Sequence, residues 1–451
     1  VSPFEGFCEG SFRRADGRRG IARAYIPPGH RLATLAFVGG APLRAMAAPL
    51  SAVKEALRRT SPFRAITLET LTTTVADRRT APKFMHEVLP PLLANLALEF
   101  DSAPPRLRQS PFIESIRAWY DESAVTIERA RAPPEWGAWR QTPSASFQAA
   151  EAEFGDALES IRAAGGSMKR KIFCAVETNT TDIGDEASEV DVWMTRFFSK
   201  RLTLRLLLGQ YAACRAHEAG KPAAFYLRST FAGLDTNNDG VLDADELARA
   251  QTLYSDADVP HESKPSVCGL VDTHTSPFDI AVQAIADVQE ECRCSAARQS
   301  PPFSLHGRGQ NLTMPYLPRH LYKILRDVLR HAARATLLRA NGGLPKPIRV
   351  VISDGIEQGD VVIKVADEGG GMPRSATKKV FSFAKHDASE GDLASVLADT
   401  QICYSLAKQG SLDSMPDIMR PTTHELPIAR VYANFFDGDL QIRSMEGYGT
   451  D

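Results

Sequence analysis

The chain has 451 residues, which is long enough for two or three domains that each bury a core. With 43% hydrophobic and 24% charged residues, it has the composition of a soluble globular protein and not of a disordered, collagen-like or disulfide-stapled chain. Lys and Arg number 53 against 55 Asp and Glu, a net charge of −2, so no overall field indicates nucleic acid or an acidic membrane surface as a partner. No apolar stretch reaches the roughly 20 residues that span a bilayer, so no transmembrane span is expected.

The seven cysteines do not indicate a fold that is held together by disulfide bonds. They are odd in number and scattered, and no two form a Cys-x-x-Cys pair. The sequence therefore predicts neither a disulfide framework nor a zinc site, and it favours a reducing compartment.

Residues 1–64 form the first predicted segment, a basic extended arm. The segment is punctuated by arginine, proline and glycine and carries no sustained periodicity. Because the chain starts at Val1 and this segment is basic, it has two interpretations. It is either the remainder of a processed organelle import sequence or an ordinary basic arm that is solvated or lies on a partner.

Residues 65–215 have the apolar spacing of long helices. Apolar side chains recur every three or four residues along four stretches: Phe84–Phe100, Ser110–Pro133, Ser146–Gly165 and Glu189–Gly220. The pattern predicts an antiparallel bundle of the four-helix type. Pro90 and Pro91 interrupt the first stretch and are expected to kink the helix or to start a new one.

An acidic loop lies in the next segment, residues 216–265. Its sequence DTNNDGVLDADE fits the spacing of an EF-hand calcium loop, with Gly240 at the sharp turn and Leu242 where a hydrophobic residue ties the loop to a partner. The predicted calcium ligands are the side chains of Asp235, Asn237, Asp239, Asp243 and Glu246 and the carbonyl of Val241.

The function of this loop stays open at the sequence level. Only one such loop is visible, whereas sensing EF-hands usually work in pairs. The loop is therefore either a structural calcium staple or one half of a pair that a partner protein completes. The alternative is an acidic turn without metal.

The last two segments change from helix to a mixture of helix and strand. Residues 266–315 are predicted to hold the last bundle helix, Phe278–Gln299, and a connection. Residues 316–451 open with an amphipathic helix, Tyr316–Ala340, which the strand-like sequences IRVVISDGI, DVVIKVADEG and GDLQIRSMEG follow. The expected fold class is α plus α/β, with an α/β sandwich behind the helical bundle.

Several motifs stand in an order that resembles a known family. The sequence VVIKVADEGGGMP is a strand that ends in an aspartate and a glycine turn. Around it stand HEVLPPLLANLA, WYDES, RFFSKRLTLRLLLGQY, LPRHLYKILRDVLRHAARAT and ELPIARVYANFFDGDLQIRSMEGYGTD. Together they resemble the mitochondrial kinases of pyruvate dehydrogenase and branched-chain 2-oxoacid dehydrogenase, roughly over residues 65–215 and 268–451.

The resemblance implies the GHKL ATPase fold, shared by histidine kinases, gyrase and heat-shock chaperones. In this fold the aspartate accepts a hydrogen bond from the adenine amino group, and the glycines let the backbone approach the nucleotide. The residues of a residual nucleotide site would be Asp367, Gly369, Gly371 and Arg334.

This sequence departs from the family pattern at the chemical residues. The resemblance implies a glutamate that activates the attacking serine and, four residues later, an asparagine that holds magnesium; here these positions are Asp327 and His331. Aspartate is one methylene shorter, and a neutral imidazole is a poor ligand for magnesium. The helix also carries Lys323 and Arg330, which are either salvaged phosphate ligands or a solvated basic face.

Further departures lie in the parts that would surround the phosphates. The second glycine box reads RPTTHELP, with Pro421, Thr423 and Glu425 where glycines are expected, so that Glu425 adds negative charge beside the phosphates. The Ser-Thr of the nucleotide lid is missing from FSFAKHDAS. In the helical half, Tyr211 stands in place of a family histidine.

Phosphoryl transfer needs magnesium, a phosphate cradle and a general base together, so these losses favour a degenerate kinase in which Asp327 is an inactive remnant of the base. The expected protein is a calcium-binding accessory subunit of a larger mitochondrial assembly, on the matrix side, without nucleic acid. The first alternative is an active, calcium-regulated mitochondrial serine kinase that uses ATP and magnesium. The second is a module that binds a dehydrogenase lipoyl domain through its helical half.

Overall fold

The computed structural model describes fourteen stretches of the chain, and all structural statements concern these residues: 10–13, 19–22, 66–77, 80–129, 152–162, 171–173, 175–176, 187–218, 241–242, 266–295, 298–307, 312–354, 360–384 and 424–451. The chain divides into two compact units, Val1–Ala48 and Pro49–Asp451. In the first unit, strand β1 (Gly10–Arg13) pairs antiparallel with β2 (Arg19–Ala22). The remainder of the predicted basic arm lies outside the described residues.

The second unit begins with helices. In chain order they are α1 (Leu68–Thr70, continued as a π-helical turn over Leu71–Val75), α2 (Ala81–Glu99, followed by a 3-10 turn at Phe100–Ser102), α3 (Pro105–Arg108), α4 (Pro111–Arg129), α5 (152–162) and α6 (Ala187–Glu218). Residues 171–173 and 175–176 are also helical.

These helices pack around one apolar core, as their apolar spacing predicts. Leu93 of α2, Ile116 of α4, Phe154 of α5 and Phe197 of α6 are all buried in it. Helix α2 contacts both α4 and α6. This packing places the helical half of the molecule around a single continuous core.

Helix α2 runs through Pro90 and Pro91 without a break, so of the two outcomes expected there, a kink or a new helix, the new helix does not form. Pro90 is itself buried, and the neighbouring Leu89 and Leu92 lie in the core. Tertiary packing of this apolar face offsets the backbone hydrogen bonds that the two prolines cannot donate.

The rest of the chain alternates strands and helices. Its elements are β3 (Val241–Leu242), β4 (Val267–Cys268), β5 (Val271–Thr275), α7 (Pro277–Cys294), β6 (Phe303–Gly307), β7 (Met314–Tyr316), α8 (Pro318–Ala340), β8 (Ile348–Asp354), β9 (Val361–Ala366), α9 (Arg374–Lys379), α10 (Glu425–Asn434), β10 (Ser444–Met445) and β11 (Gly449–Thr450).

A four-stranded sheet has the order β3-β6-β8-β9. Strands β6 and β8 are parallel, with Phe303 opposite Ile348, and the two outer pairs are antiparallel. Helices α7 and α8 share an apolar core with this sheet, to which Phe278, Leu329 and Val350 belong. Strands β4, β5 and β7 form a separate antiparallel sheet, and β10 pairs with β11.

The two halves of this unit meet at α6 and α10. Ile428 of α10 belongs to the core of the helical half. The Phe383 backbone N–H donates to Asp191 Oδ1 of α6 at 2.6 Å, and the Phe383 ring stacks on Phe198 with 6.0 Å between ring centroids. Among the described helices, none is long and apolar enough to cross a membrane.

The expected fold class, α plus α/β, is therefore confirmed at this level. The four-helix type of the bundle, the GHKL assignment of the sandwich and the EF-hand geometry of the insertion stay predictions. The predicted segment bounds at 64, 215, 265 and 315 also stay predictions.

Candidate nucleotide and calcium sites

Helix α8 carries the candidate kinase residues along one side. Pro318 opens the helix, where its missing N–H costs nothing, and Asn341 ends it in the left-handed conformation with φ at 45°. Residues three and four apart lie side by side on a helix, so the polar residues follow one another along α8. They are Lys323, Asp327, Arg330, His331 and Arg334.

Asp327, at the position of the expected general base, is only 1% exposed. Its Oδ2 forms an ion pair with the ammonium group of Lys323, one helical turn earlier. The ammonium group balances the charge of this buried carboxylate within α8 itself.

Arg330 is buried and bridges three helices. Its Nη1 donates to Oε1 of Glu425, in the first turn of α10, at 2.5 Å, and its Nε lies 2.9 Å from Oε2 of Glu291 of α7. Glu291 also accepts a hydrogen bond from Arg326 Nε at 2.8 Å. The two guanidinium groups and two carboxylates thus form a largely buried ion-pair network between α7, α8 and α10.

His331, at the position of the expected magnesium ligand, is paired inside the protein. Its Nδ1 lies 3.2 Å from Arg334 Nη2, and since a guanidinium group only donates, the imidazole nitrogen is the acceptor. Burial and, to a lesser extent, the charge of Arg334 lower the pKa of His331 to about 4, although the charge of Glu425 opposes this. The ring is therefore neutral near pH 7, and one of its two nitrogens is already engaged.

Asp367 follows β9 and sits in a tight turn. Its Oδ1 accepts from the Gly369 N–H at 2.7 Å, and its backbone bridges to Thr450. Burial raises the pKa of the Asp367 carboxyl, and the hydrogen bonds from Gly369 and Thr450 oppose that rise.

The glycines of this turn face other parts of the same chain. Gly371 has φ at 66°, and a Cβ atom added there would lie 2.0 Å from the Met445 carbonyl oxygen. A Cβ atom at Gly369 would lie 2.7 Å from the Cβ of Ala335, the neighbour of Arg334 on α8. The turn needs glycines because β10 and α8 approach it closely. The four candidate nucleotide residues are thus brought to one region.

Of the predicted calcium ligands, only Val241 falls within the described residues. It begins β3, where it pairs with His306, and Leu242 pairs with Leu305 of β6. Leu242 is fully buried in the core of the α/β half. The other five predicted ligands lie outside the described residues, and in the part that is described no group of three or more His, Cys, Asp or Glu side chains is placed to hold a metal.

Leu242, the residue expected to tie the loop to a partner, pairs with β6 of this chain, and β3 is an edge strand of the four-stranded sheet. Strand β9, which leads into Asp367, forms the opposite edge.

A second polar cluster lies in the helical half. Arg201 Nη1 donates to the hydroxyl oxygen of the buried Tyr120 at 2.7 Å, and Trp193 Nε1 donates to the Glu99 carbonyl at 2.7 Å. The Glu99 carboxylate pairs with Lys200. Tyr211 is buried against Phe154, with 6.4 Å between ring centroids.

Sequence reasoning missed Glu291 and Glu99 as partners of these clusters. Each is one acidic residue within a long helix, and its partners lie on helices far away in the sequence. The apolar spacing of these helices indicates that they pack, but it does not indicate which polar side chains meet. In the structure α7 contacts α8, and α2 contacts α6.

Comparison with known proteins identifies relatives of this chain. A family model described as mitochondrial branched-chain alpha-ketoacid dehydrogenase kinase matches residues 66–237. The mitochondrial pyruvate dehydrogenase (acetyl-transferring) kinase of Arabidopsis thaliana is 26% identical over 375 residues, which cover 82% of this chain and 82% of the relative.

Two mammalian relatives, both named as mitochondrial, match at a similar level. Isozyme 4 of pyruvate dehydrogenase (acetyl-transferring) kinase from Mus musculus is 26% identical over 399 residues, with 83% of this chain and 76% of the relative covered. Isozyme 1 from Homo sapiens is 25% identical over 386 residues, with coverages of 83% and 72%. The chain is thus similar over most of its length to mitochondrial pyruvate dehydrogenase kinases, and over residues 66–237 to the family model of the branched-chain alpha-ketoacid dehydrogenase kinase.

Proposed function

We propose that this chain is a catalytically degenerate member of its family, which acts as an accessory subunit of a mitochondrial protein assembly. The observation that carries the proposal is the ion pair between Arg330 and Glu425. In the family that the chain resembles, glycines are expected at the start of α10, where their backbone amides would bind the ATP phosphates. Here a carboxylate stands there instead and is already paired with the nearest guanidinium group of α8.

Charge supports this proposal. A phosphate group beside Glu425 would meet a negative charge at close range, and Arg330 is already balanced by Glu291 and Glu425. Binding phosphates through Arg330 would take the ion-pair partner from the mostly buried Glu425 carboxylate, which is unfavourable.

The donor set does not fit magnesium. The metal prefers hard oxygen ligands, and His331 offers a neutral imidazole whose Nδ1 accepts from Arg334. Asp327 supplies oxygens, but Lys323 pairs with Oδ2. This donor set supports a site that does not transfer phosphate through magnesium and ATP.

Calcium binding at Asp235–Glu246 is the second part of the proposal. It rests on the oxygen-rich spacing of the sequence and on β3, which anchors the middle of the loop to the sheet. We expect calorimetry on the full chain to detect calcium binding, and we expect Glu246→Gln to weaken it by removing one negative charge from a bidentate ligand. Absence of calcium-dependent heat from the unaltered chain would refute this part.

The relatives are named as mitochondrial, which agrees with the mitochondrial location expected from the sequence. We propose an assembly that contains a 2-oxoacid dehydrogenase as the host, with its lipoyl domain as the candidate contact of the helical half. Purification of the native chain from mitochondria should recover it in a stoichiometric larger complex. Recovery as a free monomer would contradict the accessory role.

The test of the degenerate site is transfer of the labelled terminal phosphate of ATP to a dehydrogenase subunit, with an active family member as positive control. We expect no transfer by the unaltered chain. His331→Asn alone should not restore it, because Glu425 still stands where the phosphates would lie.

The alternative is an active kinase, and one observation favours it. The Asp367 turn keeps its aspartate and its glycines, with φ of 98° at Gly370 and 66° at Gly371. Phosphate transfer by the unaltered chain that Asp327→Ala abolishes would establish this alternative and refute the degenerate site.

A further inference from the structure

Two cysteines meet where the long helix α6 contacts the turn between β4 and β5. The side chain of Gln210, which lies four residues before Cys214 on α6, hydrogen-bonds to the turn between β4 and β5. Its Nε2 donates to the Cys268 carbonyl at 2.9 Å and to the Leu71 carbonyl at 3.0 Å, and its Oε1 accepts from the Leu270 N–H at 2.7 Å. These hydrogen bonds fix the backbone of Cys268 against α6.

The sulfur of Cys214 packs directly against this turn. A Cβ atom added at Gly269, where φ is 64°, would lie 2.7 Å from Cys214 Sγ and 2.6 Å from Gln210 Oε1. The Cys268 thiol donates to the Thr72 carbonyl oxygen at 3.8 Å, the Cys214 side chain acts on it as a hydrogen-bond partner, and neither cysteine is in a disulfide. The two sulfur atoms are thus neighbours on backbones that are already held together.

The two thiols differ in their exposure. Cys214 is buried and Cys268 is partly exposed. The hydrogen bond from Cys214 lowers the pKa of Cys268 to about 7, although partial burial opposes this. Cys268 therefore carries a reactive thiolate fraction at neutral pH, with a second thiol beside it.

We propose that Cys214 and Cys268 form a reversible disulfide when a hydroperoxide oxidises Cys268. The Cys268 thiolate attacks the terminal oxygen of the hydroperoxide, the O–O bond breaks, and the leaving alkoxide takes up a proton, which leaves a sulfenic acid. The Cys214 sulfur then attacks the sulfenic sulfur, the S–O bond breaks, and hydroxide leaves with the Cys214 proton as water. Two thiols and one hydroperoxide become one disulfide, one alcohol and one water.

The place of this pair in the chain gives the disulfide a consequence. Cys214 and Cys268 bracket residues 215–267, the stretch that contains the acidic loop Asp235–Glu246. A disulfide between Cys214 on α6 and Cys268 on β4 makes this stretch a covalently closed loop. Reduction by a dithiol through thiol–disulfide exchange reopens it.

The test treats the full chain with hydrogen peroxide, blocks the remaining thiols with a maleimide and maps linked peptides under non-reducing conditions by mass spectrometry. We expect a Cys214–Cys268 linked peptide, with two thiols lost per chain and both restored by dithiothreitol. Cys268→Ser should abolish the linked peptide. The matched control, Cys294→Ser, removes an exposed thiol elsewhere and should leave the linked peptide unchanged.

The linked peptide from the unaltered chain is the decisive readout, since it does not depend on the folding of any variant. Its absence at a peroxide dose that oxidises Cys294 would overturn the proposal. Equal loss of thiols in Cys268→Ser and in the unaltered chain would overturn it as well.

Discussion

Each half of the molecule contains a buried polar cluster. The helical cluster consists of Glu99, Tyr120, Trp193, Lys200 and Arg201, and the α8 cluster of Glu291, Lys323, Asp327, Arg330 and Glu425. Members of both clusters lie in motifs that carry the family resemblance. Two members of the α8 cluster, Asp327 and Glu425, stand where the sequence departs from the family.

The comparison shows how the residues at these departing positions are paired. In both clusters each buried charge has a partner of opposite charge or a hydrogen bond, as burial demands. In the α8 cluster the substituted residues pair with cations on α8, Asp327 with Lys323 and Glu425 with Arg330. The α8 cluster is therefore an internal ion-pair network that joins three helices.

The largest expected effect lies in the helical cluster. Trp193→Ala removes a fully buried ring and its hydrogen bond to Glu99, so we expect the free energy of unfolding to fall by about 3–5 kcal/mol. Urea unfolding measures this loss. The adjacent, exposed Val192→Ala is the matched control and should change stability by less than about 0.5 kcal/mol. A loss of the same size in both variants would contradict the assignment of the core.

A slightly smaller effect is expected in the α8 cluster. Arg330→Met leaves the Glu425 carboxylate without its partner, while Glu291 keeps Arg326, so we expect a loss of about 2–4 kcal/mol. Adding Glu425→Gln to this variant should recover part of the loss. Arg349→Met, on an exposed position of β8, is the control. Additive effects of Arg330→Met and Glu425→Gln would show that the two side chains are not coupled.

The pH dependence tests the burial of His331. Its folded pKa of about 4 lies below the ordinary 6.5, so its contribution is complete above pH 6.5 and is lost as the pH falls from 6.5 to 4. Between pH 7.5 and 5 we expect this one group to cost about 2 kcal/mol. Measured by urea unfolding, the free energy of unfolding of His331→Asn should fall by about 2 kcal/mol less than that of the unaltered chain over this pH range. The exposed His274→Asn serves as control, and parallel curves for all three proteins would contradict the prediction.

The smallest effect is expected where an ion pair is exposed. Arg117 and Asp101 pair at 2.9 Å with both side chains about two-fifths accessible, at 39% and 44%. Asp101→Asn should therefore cost less than about 1 kcal/mol. A loss as large as that of Arg330→Met would remove the distinction between buried and exposed pairs on which the comparison rests.

The sequence predicts much of this fold because apolar periodicity reflects burial. The spacing in Glu189–Gly220 and Tyr316–Ala340 corresponds to helices α6 and α8, and the alternation in IRVVISDGI to strand β8. It fails where tertiary packing overrides local preference. Helix α2 continues through Pro90 and Pro91 because its neighbouring leucines are held in the core.

The site residues on α8 were also visible in the sequence, but their partners were not. The sequence predicts Arg330 as a phosphate ligand or as part of a solvated face, whereas it is buried between Glu291 and Glu425. An ion pair across three helices leaves no periodic pattern, since it depends on how the helices pack. The same holds for the contact between Cys214 and Cys268.

The most direct test of the central claim is an experimental structure of the full chain with an excess of magnesium and a non-hydrolysable ATP analogue. The account predicts that Arg330 stays paired with Glu425 and that no metal-bridged phosphates lie beside His331. A structure in which Arg330 turns to the phosphates, with magnesium held between them and α8, would contradict it.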